Sequence, residues 1–207
     1  MQLEAPRSPP KFHVTAGYSI FATDLAFASG TDAYIERRAA TASLAYRLTD
    51  TITLQLGAGA TLGGRFVFGE ERHTFDPGWV ASLAGTWRVY GTSKSDPFVL
   101  VSGALAASGA DTTGPSGERA SMLAVDFRVT GIAGKTFFDI LSPYLVLRAF
   151  GGPVFWEHEG ESETGGDKYH FQIGAGMVLA LPRRFDAFVE VVPVGERAAA
   201  LGLGYSF

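Results

Sequence analysis

The chain has 207 residues, 17 basic against 21 acidic, with 26 Gly, 16 Phe, no Cys and a mean hydropathy of +0.13. This length suits one domain, the net charge of −4 leaves no basic stripe for nucleic acid, and the lack of Cys excludes disulfides, thiolate zinc sites and a thiol nucleophile. So much Gly and so many aromatics at positive hydropathy point away from a soluble globular protein. They point toward a barrel with an apolar outer face and a crowded interior that favours Gly.

In chain order, residues 1–10 (MQLEAPRSPP) are polar and Pro-rich and lack the apolar core of a signal peptide. They are expected to form a flexible segment, a candidate plug, at the start of a processed chain whose first Met replaces a cleaved leader. From residue 11 onward the pattern is period-2 alternation, the signature of strands whose side chains point to opposite faces. In 11–21, Phe12, Val14, Ala16, Tyr18 and Ile20 alternate with Lys11, His13, Thr15, Gly17 and Ser19. Segments follow at 34–48, 51–66 (Ile52, Leu54, Leu56, Ala58, Ala60 and Leu62 apolar), 78–90, 97–108, 119–133 and 143–156. The last three are 168–181 (Tyr169 to Leu181, odd positions apolar except that Ala180 and Val178 share the other face), 186–193 and 197–207. The non-apolar face carries mostly Gly, Ser, Thr and Ala rather than the Lys and Glu of a wetted sheet, as the inside of a closed cylinder would. Most segments also exceed the strands of a soluble sandwich, whose mode is about 5–6 residues, and meet the roughly 9–11 residues a tilted membrane strand needs. The expected fold is all-β: a transmembrane antiparallel up-and-down β-barrel over residues 11–207, with about ten strands. The short ninth segment and the tight Val194–Glu196 connection keep eight strands as the alternative.

Connections after even-numbered segments are short (49–50, 91–96, 134–142, 182–185), whereas others, such as 109–118 and 157–167, are longer and more polar. Short periplasmic turns and long outer loops place both termini in the periplasm. Aromatics at segment ends suggest two interfacial girdles: Phe12, Tyr46, Trp87, Phe98, Phe185 and Tyr205 on the periplasmic side, and Tyr34, Phe66, Trp79, Phe155 and Tyr169 on the outer side.

The final segment alternates Ala199, Leu201, Leu203, Tyr205 and Phe207 with Ala200, Gly202, Gly204 and Ser206. It resembles the terminal strand of bacterial outer-membrane proteins. The remainder is similar in general pattern to small Gram-negative barrels of the OmpA-transmembrane, OmpX and OmpW types. The resemblance implies an outer-membrane location, contact with outer-membrane lipid and lipopolysaccharide, and assembly by the barrel-assembly machinery through Leu203, Tyr205 and Phe207. It implies no activity.

Alternation turns Arg47, Arg88, Asp126, Arg128, Arg148 and Glu190 toward the lumen. Four Arg against two acids leave a surplus of two positive charges, which in an open constriction would favour anions. In a filled barrel the same residues would form a salt-bridged network, because charges away from water must be paired. The acidic run 157–167 offers Glu157, Glu159, Glu161, Glu163 and Asp167, oxygen ligands of the kind Ca²⁺ takes, but such runs are usually hydrated tips, so no metal and no cofactor is expected. Among the four His (His13, His73, His158, His170), only Asp76 near His73 and Asp167 near His170 suggest an acid–base pair. Neither lies in a catalytic motif, and no enzyme is expected. Two functions follow: a narrow, porin-like passive channel for ions or small polar solutes, or a non-conducting structural or binding barrel that presents its loops to a partner.

Overall fold

The computed structural model describes residues 10–91, 96–158 and 160–207. Most of the N-terminal segment, four residues of the 91–96 turn, and Glu159 therefore lie outside the described residues. Thirteen strands form one antiparallel sheet: β1 (Phe12–Phe27), β2 (Asp32–Arg47), β3 (Ile52–Phe68), β4 (Glu71–Phe75), β5 (Gly78–Tyr90), β6 (Pro97–Thr113), β7 (Arg119–Lys135), β8 (Leu141–Gly151), β9 (Pro153–His158), β10 (Glu161–Asp167), β11 (Phe171–Ala180), β12 (Phe185–Val194) and β13 (Arg197–Ser206). Among the described residues no helix is long and apolar enough to cross a membrane.

Thirteen strands replace the ten expected because three staves are interrupted. β4 and β5 both run between β3 and β6, broken at Asp76–Pro77, where Pro has no N–H to give the ladder. β8 continues into β9 along β7, and β10 leads into β11. The strand count also changes with height. Near the chain termini the ring closes as β1-β2-β3-β5-β6-β7-β8-β11-β12-β13, ten members. The β12–β13 hairpin is short, and above it β10 pairs directly with β1 through Leu25↔Asp167 and Phe27↔Gly165. The upper ring is then β1-β2-β3-β4-β6-β7-β9-β10, eight members. Both expected counts describe part of one molecule.

The lower end, carrying residues 48–51, 136–140 and 181–184, is called the turn end, and the opposite end the hairpin end. Several strands reach 17 residues. At about 3.3 Å per residue and a tilt near 40° such a strand rises about 40 Å, well beyond an apolar band of about 25 Å. The expected long loops are accordingly strand extensions closed by tight turns. In the lower part the outward face is apolar and exposed, as in Leu56 (62%), Leu145 (67%), Phe171 (67%) and Leu203 (60%). In the upper part the pattern inverts: Asp24, Glu36, Arg65 and Asp111 point out, and Leu25, Ile35, Phe66 and Trp156 point in and are buried.

Phe66 corrects one expectation. Between Thr61↔Ala39 and Gly64↔Arg37, β3 carries one residue more than β2, a bulge at Gly63 with φ +99°. The extra residue flips the facing of everything after it, so Phe66 joins the core rather than the outer girdle. Phe98 also shares the inward register of Leu100 and Ser102 and packs over Gly134. The remaining girdle aromatics face outward or lie at the rims, and near the turn end Phe12, Tyr46, Phe185, Tyr205 and Phe207 form a continuous aromatic band, with neighbouring centroids 4.8 to 6.1 Å apart.

Because L-residues pay for positive φ, Gly63→Val is expected to cost about 1–3 kcal/mol. Gly103→Ala, where an added Cβ meets nothing within 4 Å, should shift stability by less than about 0.5 kcal/mol. Urea unfolding of the two refolded variants beside the parent chain checks this.

Candidate functional site: a lumen closed at one end

Eight strands give an interior that side chains can just fill, and here they do. Seven of the eight staves of the upper ring, all but β10, send apolar residues inward: Leu25 and Phe27, Ala33 and Ile35, Phe66, Phe75, Ala110, Ala120 and Met122, Val154 and Trp156 form one buried cluster. The Trp156 ring lies 5.2 Å from Phe66, 4.7 Å from Phe68 and 5.4 Å from His73, and stacks on His158 at 5.0 Å. Its indole N–H donates to Thr112 Oγ1 at 3.4 Å. Phe66 and Thr112 have no accessible surface at all. At this height the lumen is filled by packed side chains.

Below this core lies a cavity of about 510 Å³. It exists because inward positions of the wider ring carry small side chains, Ala39, Ala104, Ala106 and Ala200 among them. Nearer the turn end, Thr41, Gln55 and Ser82 face inward yet are solvent-exposed, so water reaches the lumen from that side.

The charged residues expected in the lumen are divided by height. Asp126, Arg128, Arg148 and Glu190 line the cavity. Arg128 Nη2 sits 3.0 Å from Asp126 Oδ2, and Arg148 Nη2 donates to Glu190 Oε1 at 2.5 Å. Tyr144 Oη also donates to Glu190, at 3.0 Å. Arg148 pairs across the ladder with Thr130 while Arg128 opposes Phe150, so the two Arg are diagonal neighbours that turn to different carboxylates. Arg47 and Arg88 lie nearer the turn end, where Arg88 Nη1 donates to the Gly91 carbonyl at 2.9 Å.

Three cavity charges were not read from the sequence: Arg37, Asp167 and Glu196. Glu196 Oε1 accepts from Gln172 Nε2 at 2.7 Å and lies 3.7 Å from Arg128, and Asp167 accepts from Thr23 Oγ1 at 3.4 Å. Around the cavity three Arg (37, 128, 148) now face four acids (126, 167, 190, 196). The positive surplus inferred from alternation is absent there. Near the turn end, His13 Nε2 and Asp186 Oδ2 are 2.8 Å apart.

The suggested acid–base pairs do not assemble. Asp76 Oδ2 accepts from Thr113 at 3.2 Å, while His73 is buried among Phe66, Trp156 and His158 with Glu71 3.5 Å away. His170 lies against Gly151, apart from the Asp167–Thr23 contact. The acidic run folds into the β9–β10 hairpin. Register places Glu157 opposite Ser162 and Glu163 opposite the inward Trp156, which sends these carboxylates to different faces. At the exposed hairpin end, the Ser116 hydroxyl holds the Glu118 carboxyl below its usual value, and Asp32, 2.6 Å from Lys168 Nζ, raises that ammonium. Leu203 and Tyr205 face outward, and Phe207 stacks on Phe12 at 5.6 Å while exchanging backbone hydrogen bonds with it.

No protein-family model matches the chain, and no curated protein matches it in sequence. Its structure is similar to the outer membrane protease OmpT from Escherichia coli, with a TM-score of 0.64 at 8% identity over 99% of each chain. It is also similar to the translocator domain of the autotransporter NalP from Neisseria meningitidis (TM-score 0.55, 11% identity, 98% of this chain and 90% of that one). The β domain of the Bordetella autotransporter BrkA gives a TM-score of 0.50 at 14% identity, over 96% of this chain and all of that one. At such identities the likeness concerns the fold, and it does not single out the OmpA, OmpX or OmpW type. The chain has the fold of the bacterial outer-membrane β-barrels.

Proposed function

We propose that this is an integral outer-membrane barrel that does not conduct in the state described, its lumen a blind, water-filled pocket entered from the turn end. The observation that carries this reading is the aromatic core sealed inside the eight-membered upper ring. An ion following the lumen would have to pass Phe66 and Trp156, where the packed rings leave no space for its hydration shell. The short connections favour a periplasmic turn end, and the charged outer face of the upper ring suits a position beyond the membrane. Lipid and lipopolysaccharide would cover the apolar belt.

Cysteine labelling tests both closure and orientation, since the native chain has no Cys. On intact cells, a maleimide polymer too large to cross porins should label Ser29→Cys, at the hairpin end, and label Thr49→Cys only after lysis. In the purified folded barrel a small maleimide should react with Ser82→Cys, below the core, and with Thr112→Cys only on unfolding. Labelling of Thr49→Cys on intact cells would reverse the orientation. Equal reactivity of Thr112→Cys and Ser82→Cys would show the hairpin end to be open.

A further inference from the structure

We infer that the cavity beneath the aromatic core is a binding site for a small zwitterionic solute. Its anionic group would be held by Arg37 with Thr61 and Ser108, and its cationic group by Asp126, Asp167 and Glu196. The inference rests on the preceding reading only for its entry route, from the turn end.

Arg37 is 3% exposed. Its Nη1 donates to Ser108 Oγ at 3.3 Å and its guanidinium lies 4.7 Å from the centre of the Phe75 ring. Nε and Nη2 are buried and find no hydrogen-bond partner among the described residues. A buried charge is costly unless paired, and an unsatisfied guanidinium offers a planar fork of donors that matches a carboxylate or phosphate. Thr61 Oγ1 is likewise buried without a partner. Thr61 pairs with Ala39, one inward position from Arg37 on the neighbouring strand. β2 and β3 thus bring unmatched donors to one stretch of wall, beside the Ser108 hydroxyl of β6.

On β7, the end of β10 and the β12–β13 turn the imbalance has the opposite sign. Arg128 and Arg148 are engaged by Asp126 and Glu190. Among the described residues Asp167 accepts from the Thr23 hydroxyl, Glu196 accepts from Gln172 and shares Arg128 at 3.7 Å, and Asp126 Oδ1 is buried with no partner. Removing the two close pairs from the three Arg and four acids leaves one cation, Arg37, and two carboxylates, Asp167 and Glu196. A simple anion would satisfy the first and repel the second, and a simple cation the reverse. A solute carrying both charges gives each group a partner, with Glu196 also held by Arg128 and Gln172. The volume of about 510 Å³ falls in the usual range for small-molecule sites, about 300–1,000 Å³.

The test uses the full chain folded in detergent, with 4-aminobutyrate and the dipeptide alanyl-alanine as probes and butyrate, butylamine and inorganic phosphate as controls, followed by calorimetry. Both zwitterions should bind saturably, with butyrate and butylamine at least about tenfold weaker, since each forfeits one charge-assisted group of hydrogen bonds. Arg37→Gln and Asp167→Asn should each weaken zwitterion binding by about tenfold or more, with the heat-modifiable fold retained. Should Arg37→Gln fail to fold, Thr61→Val, which removes only a hydroxyl, should still weaken binding. The inference is overturned if neither zwitterion binds at millimolar concentration, if both Arg37→Gln and Thr61→Val keep the parent affinity, or if butyrate or phosphate binds as tightly as the zwitterions. Absent binding while Ser82→Cys stays reactive overturns this inference alone. An unreactive Ser82→Cys overturns the entry route.

Discussion

Replacing Phe66 and Trp156 together by Ala is expected to turn a closed barrel into a permeable one. These two rings fill the middle of the upper ring, 5.2 Å apart, and both touch His73. Truncating a buried Phe or Trp to Ala typically costs about 3–5 kcal/mol. A hydrogen-bonded ring of eight strands cannot shrink without losing pairs, so it should respond by leaving a void rather than by collapsing. The void would join the cavity below to the solvent above and, with Thr112 and His73 exposed on its wall, would admit water. In liposome swelling the double variant should pass small sugars that the parent chain excludes. A variant that folds, loses stability and still excludes them would place the barrier elsewhere in the lumen.

The second large effect is expected at the Arg148–Glu190 pair. Its side chains are only 15% and 14% exposed, and Arg148 also reaches Gln172 Oε1 at 3.4 Å while Tyr144 donates to Glu190. Breaking a buried pair by removing one partner commonly costs about 3–5 kcal/mol because the other charge stays unpaired. Arg148→Met alone should therefore unfold at markedly lower urea. Combining it with Glu190→Gln should recover most of that loss, since the amide still accepts from Tyr144 and no lone charge remains. The double-mutant cycle reads the coupling directly. If both single changes fall within about 0.5 kcal/mol of the parent chain, the cavity is wet enough to screen the pair, and its role in holding the ring together is lost.

The lower barrel was legible in the sequence because lipid imposes a strict rule on every second residue. Phe12 to Ile20, Ile52 to Leu62 and Tyr205 with Leu203 follow it without exception. The upper barrel was not legible, because where the surroundings change from lipid to water the rule inverts while the strand continues. In β1 the apolar set passes from Phe12, Val14, Tyr18 and Ile20 outside to Phe21, Leu25 and Phe27 inside, which reads in sequence as the end of a strand. β4, with the sequence ERHTF, carries too many charges to register as one. The same effects hid half the cavity. Arg37 sits beside Arg38 and next to the Gly63 bulge, so alternation does not decide which of the two points inward. Asp167 and Glu196 lie at strand ends, where facing depends on how the short β12–β13 hairpin lets β10 meet β1. Asp126, Arg128, Arg148 and Glu190 were assigned to the lumen from alternation alone because they sit in unbroken stretches of β7, β8 and β12.

Closure of the lumen is tested most directly by planar-bilayer recording of the unmodified chain, purified and folded, under a salt gradient and across a range of voltages. The expected result is a membrane as silent as the protein-free control, with folded protein verified in the same preparation by heat modifiability. Discrete, reproducible conductance steps from the unmodified chain, with a reversal potential displaced by the gradient, would contradict the sealed upper ring.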